Sequence, residues 1–128
     1  MSQFVLDASA VLALLGRERG QEEVEQAIAV GAAISTVNIA EVVSKLSDAG
    51  MPETVISQVL DLLGLEIVDF NQTLAHQTGM LRSHTKPMGL SLGDRACLAL
   101  ARVRNVPALT TDRVWEKLQL DITVRLIR

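Results

Sequence analysis

Tyrosine is absent from the chain, which carries a single cysteine, a single tryptophan and two phenylalanines. Hydrophobic residues still make up 48% of it, so the core has to be aliphatic. Recognition of nucleic acid by stacking bases on aromatic rings is disfavoured. One thiol excludes an internal disulfide and suits a reducing compartment. Cys97 lies inside the apolar run Ala96-Cys97-Leu98-Ala99-Leu100-Ala101, where an inert buried thiol is expected rather than a nucleophile.

Surplus positive charge is missing as well. The net charge is −3, which argues against a passive nucleic-acid binder relying on excess Lys and Arg. It leaves open an enzyme whose acids are neutralised by bound metal. No apolar stretch approaches the roughly 20 residues that span a bilayer. The opening "MSQFVLDAS" has no basic region and only a very short apolar run, so neither a signal peptide nor a membrane segment is expected. The expectation is a cytoplasmic protein.

What is present is an alternation of short β-like and longer helix-like runs. Phe4 to Asp7 is continuously apolar up to its last residue, as a central parallel strand buried on both faces would be. Helices follow in "SAVLALL" and "QEEVEQAIAV", then a strand "AAIS" from Ala32 to Ser35, then a helix "VNIAEVVSKLSDAG" closed by Gly50. "PETVISQVLDLLG" opens with Pro52 near its first turn and ends at Gly64, the usual asymmetry of helix ends. "EIVDF" reads as a strand, "QTLAHQTGMLRSH" as a helix and "KPMGLS" as a loop. "LGDRACLALARVRN" is a helix, "PALTT" a strand, "RVWEKLQ" a short helix and "ITVRLI" a last strand. This alternation predicts βαβ units and a parallel sheet in one α/β domain over residues 1–128.

Four acids stand at telling positions, each with an ordinary explanation beside it. Asp7 ends the first strand and Asp112 follows "ALTT"; either is a natural helix N-cap. Asp94 lies three residues after Ser91, close to a capping box. Glu41 precedes Lys45 by four residues, a favourable helix-surface pair. Singly, caps and surface pairs are commoner than ligands, but the joint pattern is different. Asp7 and Asp112 fall where a strand hands over to a helix, hence at the carboxyl edge where α/β sheets bind ligands. Glu41 is about 8 Å along its helix from Ser35, and Asp94 opens another helix. Acids gathered there without a counterion would raise each other's pKa. A hard divalent cation removes that conflict, and Mg²⁺ suits sites with few carboxylates and retained waters. The helix N-termini add a positive dipole that favours acids and phosphate alike.

The stretches "FVLDASAVLALL" around Asp7, "ISTVNIAEVVSKL" around Glu41, "GLSLGDRACLALA" around Asp94 and "ALTTDRVW" around Asp112 occur in that order. Together they resemble the PIN-domain ribonucleases, and among these the VapC-type toxins of bacterial toxin–antitoxin pairs. The likeness runs over nearly the whole chain, and Ser9 supplies a hydroxyl two residues after the first acid. It implies a five-stranded parallel sheet of order 3-2-1-4-5 flanked by helices. It also implies that Asp7, Glu41, Asp94 and Asp112 are catalytic and bind Mg²⁺ or Mn²⁺, with Ser9, Asn38 and Thr111 as supporting polar groups. The implied activity is endoribonuclease: hydrolysis of RNA phosphodiester bonds with a metal-activated water. The implied partners are an RNA substrate, a cognate antitoxin and a second copy of the chain.

Rival readings remain at this level. A PIN nuclease of RNA processing would need no antitoxin. A phosphoacceptor or phosphatase-like α/β domain also places an Asp at a strand end, but wants further acids close by, whereas Ala8 and Ser9 follow Asp7. A catalytically dead interaction module has no reason to keep all four acids. His76 and His84, eight residues apart, read as surface or loop residues, and Trp115 as packing against the sheet. Arg82, Lys86, Arg95 and Arg113 read as solvated surface charge, with phosphate contact as the alternative. Leu12, Leu15, Val55, Ile56, Val59, Leu60 and Leu63 exceed one narrow stripe on their helices. Core packing explains some of them; a groove or dimer face, which the resemblance favours, explains a surplus.

Overall fold

The computed structural model describes residues 1–128 as one alternating chain of strands and helices. The order is β1 (Phe4–Leu6), α1 (Ala8–Leu15), α2 (Gln21–Val30), β2 (Ala32–Ser35), α3 (Thr36–Asp48), α4 (Glu53–Leu63), β3 (Glu66–Val68), α5 (Gln72–Met80), α6 (Arg82–Thr85), α7 (Leu92–Arg104), β4 (Ala108–Thr110) and β5 (Val124–Leu126). Short 3₁₀ turns occupy Lys86–Met88 and Arg113–Lys117. The five strands form one sheet in the order β3-β2-β1-β4-β5, with every neighbouring pair parallel. That is the architecture implied by the resemblance.

Period-2 alternation in the strands divides the core into two layers. Leu6, Ile34 and Leu109 point to one face, against Ala10, Val11, Val24 and Val42 of α1, α2 and α3. Val5, Ala33 and Ala108 point to the other, against α7 and Trp115. All six strand residues are fully enclosed, which is why β1, β2 and β4 carry apolar residues on both faces rather than an in–out alternation. Helix α7 is enclosed from Ala96 to Ala101. Its alternating Ala and Leu let it lie close against β1 and β4 while also packing on α3 and α5.

The carboxyl edge of the sheet is set by capping chemistry. Asp7, Ser35 and Asn71 stand at or just past the carboxyl ends of the first three strands, and their side chains accept from backbone N–H groups in the first turns of α1, α3 and α5, satisfying donors that the helix cannot. At the other ends, Gly64 and Asn105 close α4 and α7 in the left-handed conformation, as C-terminal caps commonly do.

Three local details refine the sequence reading. The helix expected over "QTLAHQTGMLRSH" breaks at Leu81, which is buried, and α6 restarts on its carbonyl. That carbonyl accepts from the N–H and the hydroxyl of Thr85 at 3.1 and 2.9 Å. Pro52 sits at the N-cap of α4, one residue ahead of the first turn. The last short helix is 3₁₀, capped by Asp112. No helix is long and apolar enough to cross a membrane.

Candidate active site

Asp7 leaves β1 with its carboxylate buried and hydrogen-bonded on both oxygens. Oδ1 accepts from the Ser9 hydroxyl at 2.7 Å and from the Ala10 N–H at 2.8 Å. Oδ2 accepts from the Thr110 hydroxyl at 2.5 Å. Burial nevertheless dominates: it pushes the carboxyl up from an ordinary 3.8 to about 6, the three hydrogen bonds oppose the shift, and the charge of Asp94 adds to it.

Glu41 reaches the same place from α3. Asn38, one helical turn earlier and buried, spends both donors of its amide: one to Glu41 Oε1 at 2.7 Å, the other to the Gly93 carbonyl at 3.0 Å. The amide therefore aims Glu41 and ties α3 to the first turn of α7. Asn38 Oδ1 is buried and has no partner. Gly93 completes the arrangement, because a Cβ there would stand 2.6 Å from the Glu41 carboxyl carbon. Only a glycine lets that carboxylate lie against the positive end of α7.

Asp94 caps its helix and still faces the other acids. Its Oδ2 accepts from the Ser91 N–H at 3.0 Å while Ser91 Oγ accepts from the Asp94 N–H at 3.1 Å, a complete capping box. Asp7, Glu41 and Asp94 line a single pocket of about 200 Å³, together with Ser9, Leu12, Ala8 and Lys45. The same three charges reach Cys97, whose thiol is pushed up first by burial and then by each of them. Cys97 is thereby held protonated and inert.

Asp112 stands outside that pocket. Its Oδ1 accepts from the Val114 N–H at 3.0 Å and its own N–H donates to Thr110 Oγ1 at 3.1 Å. Asp112 is thus linked to Asp7 by two hydrogen bonds through the Thr110 hydroxyl. The Thr111 side chain makes no hydrogen bond here; its N–H donates to Ser9 Oγ at 3.0 Å. Thr110 rather than Thr111 carries the polar link between strands, and Gly93 also escaped the sequence reading. The signal for Thr110 was the register: Leu6 pairs with Leu109, so the next residues, Asp7 and Thr110, come level at the edge.

Arg95 corrects another expectation. It is not solvated surface charge but buried, with Nη1 donating to the Thr78 carbonyl at 3.2 Å in the last turn of α5. A cation is favourable at that negative helix end. Arg82, Lys86 and Arg113 are exposed, as are His76 and His84.

The donor set fits a divalent cation. Three carboxylates, hard oxygen donors, line one pocket, and one of them is a buried acid whose ionisation is resisted by burial and would be favoured by a counter-charge. A bound cation supplies that charge. The side chains as placed do not close into a tight cage, and the pocket leaves room for the waters that Mg²⁺ keeps.

A family model, the PIN domain, matches residues 4–119. DNA-bound VapBC from Salmonella typhimurium superposes with a TM-score of 0.79 at 20% identity, covering 100% of both chains. VapBC2 from Rickettsia felis bound to a promoter DNA fragment gives 0.74 at 19% identity, over 96% of this chain and 97% of that one. VapBC-5 from Mycobacterium tuberculosis, a member of the VapBC family of toxin-antitoxin systems, gives 0.60 at 22% identity over 100% and 99%. At such identities the likeness is one of fold. No curated protein matches the chain.

Proposed function

The chain belongs to the PIN-domain family, and from that premise we propose that it is a Mg²⁺- or Mn²⁺-dependent endoribonuclease, the toxin of a toxin–antitoxin pair. As a PIN-domain protein it is a hydrolase acting on nucleic acids; RNA as substrate, the metal and the residue roles are our reading. The observation that carries it is the convergence of Asp7, Glu41 and Asp94 on one pocket at the carboxyl edge of the sheet.

In this reading Asp7, Glu41 and Asp94 hold the cation, and Asp112 joins them from the adjacent loop. When bound, the ion supplies Lewis-acid activation of water and of the phosphate. The chain's own groups set up that site. Ser9 and Thr110 fix the Asp7 carboxylate, Asn38 aims Glu41, and the Ser91 cap holds Asp94 at a helix end whose dipole favours anions. Thr111 contributes its backbone N–H to Ser9. In this reading the protein acts on RNA in the cytoplasm.

The toxin reading draws on the VapBC assemblies among its structural neighbours and on the apolar surface of α4. A groove of about 370 Å³ runs between α3 and α4, lined by Val43, Met51, Ile56 and Leu60, and Leu62, elsewhere on α4, is 85% exposed. Such surface on a small domain suits a partner; here we assign an antitoxin segment and, in the active assembly, a homodimer. Leu12 belongs to the acid pocket instead.

The test is cleavage of RNA and of DNA of the same sequence by the purified chain and by Asp94→Asn, with Mn²⁺ present. The reading expects RNA to be cut by the wild type only, with the variant folded and its thermal shift by Mn²⁺ reduced. Retained cleavage in Asp94→Asn overturns the assignment of that residue.

A further inference from the structure

Lys45 is the one cation lining the pocket of the three acids. It follows Glu41 by one turn on α3 and therefore shares its face. A helix-surface ion pair with Glu41 would be the ordinary use of that spacing, yet no such pair forms. The ion pairs of the chain are Arg102–Asp121, Arg104–Glu66 and Arg128–Glu18, all elsewhere. Glu41 is instead turned toward Asn38 and Gly93. The ammonium of Lys45, on an exposed side chain, is left uncommitted at the pocket mouth.

Charge balance suggests its use, given the metal-dependent nuclease reading on which this inference rests. Three carboxylates and one divalent cation leave the pocket with a net negative charge, which a phosphodiester would make worse. An ammonium cannot ligate the metal, but it is a compact charge on a flexible stem, well suited to a phosphate oxygen. We propose that Lys45 is a substrate-binding residue that holds a phosphate of the RNA strand at the mouth of the acid pocket.

Loss of the Lys45 charge has two effects of opposite sign. Removing the charge with Lys45→Met relieves repulsion on the cation, so Mn²⁺ should bind roughly two- to fivefold more tightly. It also removes a phosphate contact, so RNA affinity should fall and its salt dependence should lose about one counterion. Lys45→Arg should keep most of the RNA affinity. A merely structural role would not move the two affinities in opposite directions.

The experiment measures Mn²⁺ binding by calorimetry without RNA. Binding of a single-stranded RNA oligomer is followed by anisotropy across a salt series, on an Asp94→Asn background that prevents cleavage. Tighter Mn²⁺, weaker RNA and a shallower salt slope in Lys45→Met support the proposal. Unchanged RNA affinity and slope, in a chain whose Asp94 form cleaves RNA, overturn this inference alone. A chain that neither binds nor cleaves RNA overturns the nuclease reading, and this inference with it.

Discussion

Replacing Asp7 by asparagine should stabilise the metal-free protein, and the gain should grow with pH. Asp7 is 4% exposed, and burial raises its carboxyl from 3.8 to about 6. Between those values the folded protein holds a proton that the unfolded chain releases, so stability falls as pH rises through about 4 to 6 and the full cost is present above it. The shift corresponds to about 3 kcal/mol once the group is ionised. Asparagine removes that cost. It can keep the Ser9 and Ala10 contacts, while its amide must donate to Thr110, an exchange costing about 1 kcal/mol. The net gain at pH 7.5 is about 2 kcal/mol, or roughly 7 °C in Tm for a domain of this size. At pH 4.5 wild type and variant should melt within a degree or two of each other. Thermal unfolding in EDTA across pH 4.5 to 8 reads this directly. A Tm difference that stays constant with pH, or a variant less stable than wild type at pH 7.5, refutes the claim that Asp7 is an uncompensated buried acid.

Other perturbations separate fold from site. Gly93→Ala adds helix propensity of roughly 1 kcal/mol but collides with the Glu41 carboxylate; Tm should change little or fall, while calorimetry shows weakened Mn²⁺ binding. Thr110→Val removes the donor to Asp7 Oδ2 and the acceptor of the Asp112 N–H. It should cost about 1–3 kcal/mol and move the pH-dependent loss of metal-free stability upward, both visible in the same melting series. Leu62→Lys, on a side chain 85% exposed, should leave Tm within about 1 °C, since isolated surface changes are near neutral. Light scattering should show less self-association than in wild type if that face meets a partner.

The strands and most helices were legible because their signals are local. Helix α2 over Gln21–Val30 and β2 over Ala32–Ser35 follow from periodicity and a glycine between them. The edge position of Asp7 follows from an apolar strand ending in a helix cap. What was illegible depends on registers and side-chain packing between distant segments. Thr110 and Thr111 are identical in sequence, and only the pairing of β1 with β4 decides which meets Asp7. Nothing in the local sequence of Gly93 shows that α3 brings Glu41 against it. Arg95 carries a charge, and nothing in its neighbours along the chain reveals that the end of α5 will enclose it. The helix break at Leu81 follows from the burial of Leu81 and Thr85, a choice of packing rather than propensity.

The central claim, that the clustered carboxylates work through a divalent cation to hydrolyse RNA, is tested most directly by the ends of the products. Ribonucleases that use the 2′-hydroxyl as nucleophile need a general base near neutral pKa. The acid pocket contains no histidine, both oxygens of its raised carboxyl, Asp7, are committed to Ser9, Ala10 and Thr110, and His76 and His84 lie on the exposed surfaces of α5 and α6. Attack by water, the chemistry metal sites support, with the P–O3′ bond breaking and the 3′-oxygen leaving, gives a 5′-phosphate and a 3′-hydroxyl. End-group analysis of RNA cut by the purified chain, with EDTA and with Mg²⁺ or Mn²⁺ restored, decides between them. The account predicts 5′-phosphate and 3′-hydroxyl ends, no cleavage in EDTA and recovery on adding metal; 2′,3′-cyclic phosphate ends, or undiminished cleavage in EDTA, would contradict it.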